Sequence, residues 1–282
     1  MKILTFDIED WFHILDNKST ESEKDWGNFE VRIYKNMERI FELLDGSNVS
    51  ATFFVLGWMA EKYPELIREI VSRGYEIGSH SHLHQLVYSQ TPVQFKNDVA
   101  KSIKTIEDIS GKKVRLFRAP GFSVMEDNKW AFEVLNELGI EIDCSIFPAS
   151  RSHGGFSSYG VPKPSIIKYN GIEIKELPIN YTSVFTKPVI FSGGGYFRLL
   201  PYLFIKKWAR SSSYVMTYFH PRDFDADQPL IKDLSKARKF KSYVGIKEAE
   251  KKLFKGLQDF DFIDIGTADK QIDWKNVPVV NL

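Results

Sequence analysis

Apolar and polar positions run along the chain in blocks of changing period, and each block predicts an element. Residues 2–6 are short and apolar, which predicts a strand. Over residues 31–44 the apolar positions are Val31, Tyr34, Met37, Ile40, Phe41 and Leu44, the spacing of one helical face. Residues 51–56 read as a buried strand, with Gly57 as its stop. The pattern then repeats. It predicts a helix over 58–72 stopped by Gly74, a strand over 75–77, and a helix over 92–109 with Pro92 in its first turn. A strand over 114–117, a helix over 128–138 stopped by Gly139, and a strand over 140–144 follow. From about 148 to 195 the rhythm breaks. Gly154, Gly155, Pro162, Pro164, Pro178, Pro188 and three consecutive glycines from Gly193 predict loops and short β ribbons inserted into the main fold, with His153 on a surface loop. Alternation resumes with a helix over 199–210, a strand over 214–219, a helix over 247–257 and a last strand over 261–265.

This β/α alternation predicts parallel strands joined by helical crossovers, closed as a barrel or open as a doubly wound sheet. Both chain ends take part in the rhythm, so residues 1–282 are expected to form one domain. Composition narrows the function classes. Lys and Arg total 38 and Asp and Glu 37, a net charge of +1, which gives no support to a general nucleic-acid binder. The single cysteine, Cys144, excludes an intrachain disulfide and a Cys-based zinc module, so any metal must be held by His and carboxylate. Acidic residues at Asp7, Glu9 and Asp10 arrive before an apolar leader could form, and no apolar run reaches the ~18 residues of a membrane span. The expectation is a cytoplasmic chain with no transmembrane segment.

Candidate chemistry gathers at predicted strand ends, where β/α folds place their sites. Three of the six histidines fall in Gly78-Ser79-His80-Ser81-His82-Leu83-His84. His80 and His84 are four apart, which on a helical turn would put both imidazoles on one side, as two ligands of one zinc require. The plain alternative is a solvated His-rich turn. Asp7 and Glu9, at the end of the first strand, share a face by strand parity and would be stabilised around a cation. Arg118-Ala119-Pro120-Gly121-Phe122 predicts a tight turn presenting backbone N–H groups, and His220 ends the strand over 214–219.

These segments, with Ala51-Thr52-Phe53-Phe54 and Tyr218-Phe219-His220, stand in the order of the polysaccharide deacetylase family, and the chain resembles it over nearly its whole length. That family is carbohydrate esterase family 4, the NodB homology domain. Asp7-Ile8-Glu9-Asp10-Trp11-Phe12-His13 and the run from Gly193 to Tyr202 resemble the branch of bacterial exopolysaccharide and O-antigen clusters. The resemblance implies a distorted (β/α)₇ barrel and metal-dependent hydrolysis of an N-acetyl group on a sugar. It implies His80 and His84 as ligands of one divalent metal, zinc first, with Co²⁺, Ni²⁺ or Fe²⁺ as alternatives. It implies Asp7 as base, His220 as general acid, Arg118 as the residue orienting the base, and the Phe122 N–H as oxyanion donor. The family's common motif has two adjacent aspartates. Here Asp7 is followed by Ile8, Glu9 and Asp10; likeness to family branches with an Asp-x-Asp form implies Glu9 as the carboxylate ligand, strand parity agrees, and Asp10 is the alternative. No clear copy of the family's supporting Asp–Trp element is present, and Asp143 is the nearest substitute.

The expected substrate is an N-acetylated glycan or sugar, free or lipid-linked, with Trp11 and Tyr196 as candidate aromatics of the substrate groove. His82 points elsewhere than its two neighbours, and His13 is a further groove candidate. The apolar-then-basic run over 199–208 either packs as a barrel helix or touches a membrane. Two other functions stay open: an allantoinase-like amide hydrolase and a catalytically inactive glycan-binding module.

Overall fold

The computed structural model describes residues 1–15, 17–150, 154–185, 187–231 and 234–282, so His153 lies outside the described residues. Its strands are β1 (Lys2–Ile3), β2 (Thr5–Ile8), β3 (Thr52–Val55), β4 (Glu76–Ser79), β5 (Leu116–Phe117), β6 (Ile142–Asp143), β7 (Ser165–Tyr169), β8 (Ile172–Glu176), β9 (Thr182–Val184), β10 (Lys187–Val189), β11 (Val215–Met216) and β12 (Val279–Asn281). The main sheet has the order β12-β7-β8-β6-β5-β4-β3-β2. Every neighbouring pair in it is parallel except β7 with β8.

On the far side of β2, the Asp7 N–H donates to the Phe219 carbonyl at 2.7 Å and the Phe219 N–H to Thr5 at 3.2 Å. Tyr214 Oη donates to the Pro178 carbonyl at 2.8 Å, and the Met216 N–H to Asn180 Oδ1 at 3.2 Å. These bonds draw the segment after β8 towards β11 and curl the sheet into a distorted (β/α) barrel. Strand alternation then sorts the side chains. Phe6, Phe53 and Phe117 face the helical layer, while Phe54, Leu116, Ile142, Cys144 and Met216 fill the interior.

Local chemistry explains the helix limits. Helix Pro92–Ser110 starts with a Thr91–Gln94 capping box and ends at Gly111 in the left-handed region. The helix expected over 58–72 is two helices, Gly57–Lys62 and Pro64–Ser72. Pro64 drives Tyr63 out of the helical region, to φ −130°.

Two expectations are corrected. Residues 148–195 are not only an insertion, because β7 and β8 form a hairpin that joins the main sheet. Residues 261–265 form no strand: Ile263 makes a single bridge to Ile3, and helix Ile265–Gln271 begins there. Helix Lys236–Tyr243 buries no residue, so it has no apolar stripe to announce it.

Candidate active site

β2 ends at Ile8, and Asp7 within it and Glu9 just past it face the same side. Glu9, His80 and His84 each offer a ligand atom, and the three atoms lie within 4.8 Å of one another. All three residues are buried.

The His80–His84 segment is a loop, not the helical turn that its spacing suggested. Ser81 and His84 both take left-handed conformations, with φ 67° and 54°. What holds this unusual backbone is Asp98, on helix Pro92–Ser110. Its carboxylate accepts the His82 N–H at 2.8 Å and the Leu83 N–H at 3.0 Å. Gly57 is also required, since a Cβ there would stand 2.5 Å from His82 Nδ1. We expect Asp98→Ala to cost about 1–3 kcal/mol by orphaning these two amides. Metal affinity should fall about 10–100-fold with it, as for other supports of ligand geometry. Thermal melting and metal titration check both.

The donor set fits a divalent metal. The His80 Nδ1–H donates to the Arg118 carbonyl at 2.8 Å, leaving Nε2 to present its lone pair. Burial pushes the His80 imidazole down to about 4, so it is neutral, as a ligand must be. Glu9 Oε2 stands 2.8 Å from His84 Nε2, yet this buried oxygen has no aligned hydrogen-bond donor. Burial raises Glu9, but the neighbouring His84 and His220 outweigh it and hold the carboxyl well below the usual range.

Asp10 is not part of the cluster. Its Oδ1 accepts the Trp11 N–H at 2.8 Å, and its Oδ2 the Arg32 and Ile33 N–H groups at 2.9 and 3.0 Å. It therefore caps helix Ile33–Asp45 from a distance. Glu9→Gln should abolish tight metal binding, whereas Asp10→Asn should keep it and lower the melting temperature. Calorimetric titration of both variants checks this.

Two pairs flank the cluster. Arg118, fully buried, donates from Nη1 to Asp7 Oδ1 and to Thr5 Oγ1, each at 2.7 Å. Its guanidinium stacks 4.2 Å from the centre of the Phe54 ring. On the other flank, His220 Nε2 lies 3.5 Å from Glu9 Oε1 and 3.8 Å from Asp7 Oδ2. Its Nδ1 and backbone N–H both meet Asp223 Oδ2, at 3.2 and 3.0 Å. Burial works against a charged His220, but Asp223 and the carboxylates of Glu9 and Asp7 prevail and raise it to about 9. Asp223 is tied in turn to the buried Arg198, 3.1 Å from Oδ1.

Asp223 therefore supports His220, and Asp143, the expected substitute for the family's supporting aspartate, does not reach the cluster. Asp143 instead accepts both the hydroxyl (2.6 Å) and the N–H (3.2 Å) of Ser145, opposite Glu176 on β8.

The oxyanion and groove assignments of Phe122, Trp11 and His13 are corrected. The Phe122 N–H already donates to the Ala119 carbonyl at 3.1 Å. Trp11 is buried edge-on against Phe12 and Phe29, and its indole N–H donates to the Glu30 carbonyl. Both are packing or turn residues. His13 sits among Trp26, Trp58 and Phe12, with Nδ1 accepting the Asp10 N–H. Tyr196 is exposed on helix Gly194–Leu199, outside the cluster.

Fold and strand-end site together define a NodB-type distorted barrel. Residues 18–142 match the polysaccharide deacetylase family model, and residues 144–270 match a domain of unknown function, DUF3473. Over residues 18–142 the chain is thus similar to the polysaccharide deacetylases of carbohydrate esterase family 4.

A peptidoglycan-N-acetylglucosamine deacetylase of Bacillus cereus is 31% identical over 96 residues, 34% of this chain and 35% of the relative. A chitooligosaccharide deacetylase of Azorhizobium caulinodans is 30% identical over 98 residues, 34% of this chain and 44% of the relative. The chain thus spans less than half the length of these curated relatives. Among solved structures, a putative polysaccharide deacetylase from Mycobacterium smegmatis superposes with a TM-score of 0.65 at 17% identity, over 99% of this chain and 92% of that one. A carbohydrate esterase 4 pseudoenzyme from Bacillus anthracis gives 0.51 at 13%, over 94% and 64%. At these identities the likeness is one of fold.

Proposed function

We propose that this chain removes N-acetyl groups from a sugar of a bacterial surface polysaccharide or its precursor, using one divalent metal, zinc first. The observation that carries the reading is the joint placement of three groups at one barrel end. These are the Glu9–His80–His84 donor set, Asp7 held by Arg118, and His220 held by Asp223. A cation held there would polarise the acetamide carbonyl and lower the pKa of a water towards ~7.

The chain's own residues do the rest. Arg118 fixes one oxygen of Asp7, so the other is free to take a proton from the attacking water. His220 stands across the site and donates its proton to the departing nitrogen, which leaves badly as an anion. Asp223 fixes the His220 ring and favours its charged form. Asp223→Asn should lower kcat by roughly 10–100-fold with little change in metal content, since the residue orients the acid without touching the metal ligands.

The experiment assays the metal-loaded protein by acetate release from N-acetylglucosamine oligosaccharides, peptidoglycan fragments and lipid-linked N-acetyl sugars, and by ring opening of cyclic ureides. Acetate from N-acetylated sugars supports the proposal. Hydrolysis confined to ureides would favour the amide-hydrolase reading. Glycan binding without turnover, unaffected by His80→Ala, would favour an inactive binding module.

A further inference from the structure

Four helices, Gly194–Leu199, Tyr202–Ser211, Lys236–Tyr243 and Ile246–Asp259, pack on one another beside β11. Their sequences hold twelve Lys and Arg against three Asp and Glu, a net charge of +9. The whole chain is only +1, so the remainder is −8. The molecule is electrically polarised although its total charge is nearly neutral.

The same helices expose apolar side chains. Helix Tyr202–Ser211 buries Ile205 and Ala209 and turns Leu203 (74% exposed) and Phe204 (48%) outward. Leu199, just ahead of it, is 52% exposed. Lys207 and Arg210 follow Leu203 at helical spacing and are also exposed. Lys251 and Lys255 are exposed on the neighbouring helix Ile246–Asp259. The helix thus shows an apolar end followed by a basic flank. Because it leads back into β11, its first turn lies at the barrel end that carries His220.

We infer that this face docks on an anionic lipid surface. Leu199, Leu203 and Phe204 enter the boundary between headgroups and acyl chains, and Lys207, Arg210 and the neighbouring lysines pair with lipid phosphates. An anionic polymer would satisfy the cations but would leave the three apolar side chains in water. A second copy docked face to face would set +9 against +9. An anionic bilayer surface matches both features. Among the described residues no helix is long and apolar enough to cross a membrane, so the contact is peripheral. This inference stands independently of the deacetylase reading, because vesicle binding needs neither metal nor turnover.

The test is flotation of the full chain with vesicles of phosphatidylcholine alone or mixed with phosphatidylglycerol. Binding to the mixed vesicles should be at least about tenfold tighter than to neutral ones and should weaken as salt rises. Leu203→Ser/Phe204→Ser and Lys207→Gln/Arg210→Gln should each reduce it by about tenfold with unchanged melting temperature. Lys35→Gln/Lys62→Gln, the same charge removed elsewhere on the surface, should bind as the wild type does. Equal binding to both vesicles, binding to neither, or wild-type binding by both patch variants would overturn the inference. So would a dimer in sedimentation that Leu203→Ser/Phe204→Ser dissolves.

Discussion

Asp7→Asn is expected to lower kcat for acetate release by about 10²–10⁴-fold, the range for loss of a general base. The protein should still fold and hold its metal. The reasons are geometric. Asn keeps an oxygen for Arg118 Nη1, which now sits 2.7 Å from Asp7 Oδ1, so the buried guanidinium retains its partner. Glu9, His80 and His84 are untouched. What Asn cannot do is accept a proton from water. Steady-state kinetics with metal content measured on the same preparation checks this. A variant that loses metal along with activity would instead make Asp7 part of the donor set.

The second large effect is on stability. Arg118→Met should cost about 3–5 kcal/mol, because it strands Asp7, itself 2% exposed, without its cation. At about 2–4 °C per kcal/mol for a chain of this size, the melting temperature falls on the order of 10 °C. Activity should fall too, since nothing then orients the base. Arg118→Lys should not rescue it. A lysine has no planar face to lie on Phe54, whereas the guanidinium donates to Thr5 and Asp7 from Nη1 while stacked on that ring. Removing both charges, in Arg118→Met/Asp7→Leu, should recover much of the lost stability and none of the activity. If the double variant is less stable than Arg118→Met alone, the burial of an unpaired carboxylate is not the cause.

Much of this site was legible along the chain because strand ends are local signals. Asp7, Glu9, Arg118 and His220 each follow a short apolar run, and the structure brings these ends together. Parity, with the Asp-x-Asp form of some family branches, separated Glu9 from Asp10. The work that Asp10 does was not legible, since the helix it caps begins more than twenty residues later. Asp98 was hidden for the same reason: it reaches the histidine loop from another element. The loop's shape depends on left-handed Ser81 and His84, which a His-x-x-x-His spacing read as helix cannot show.

Asp223 could have been found. It lies three residues after His220 and bonds back to it as a capping residue does. The β7–β8 hairpin also had a signal, Asn170-Gly171 between two alternating runs. Both residues take positive φ, 45° and 83°. The prolines and glycines around it concealed that pattern.

The proposed chemistry depends on Glu9, His80 and His84 holding one metal ion together. Calorimetric titration of metal-stripped protein with Zn²⁺, in the wild type and in Glu9→Gln, His80→Ala and His84→Ala, tests it most directly. The wild type should bind one equivalent tightly, and each variant should bind at least about tenfold more weakly. A wild type that binds no metal, or three variants that bind as the wild type does, would contradict it.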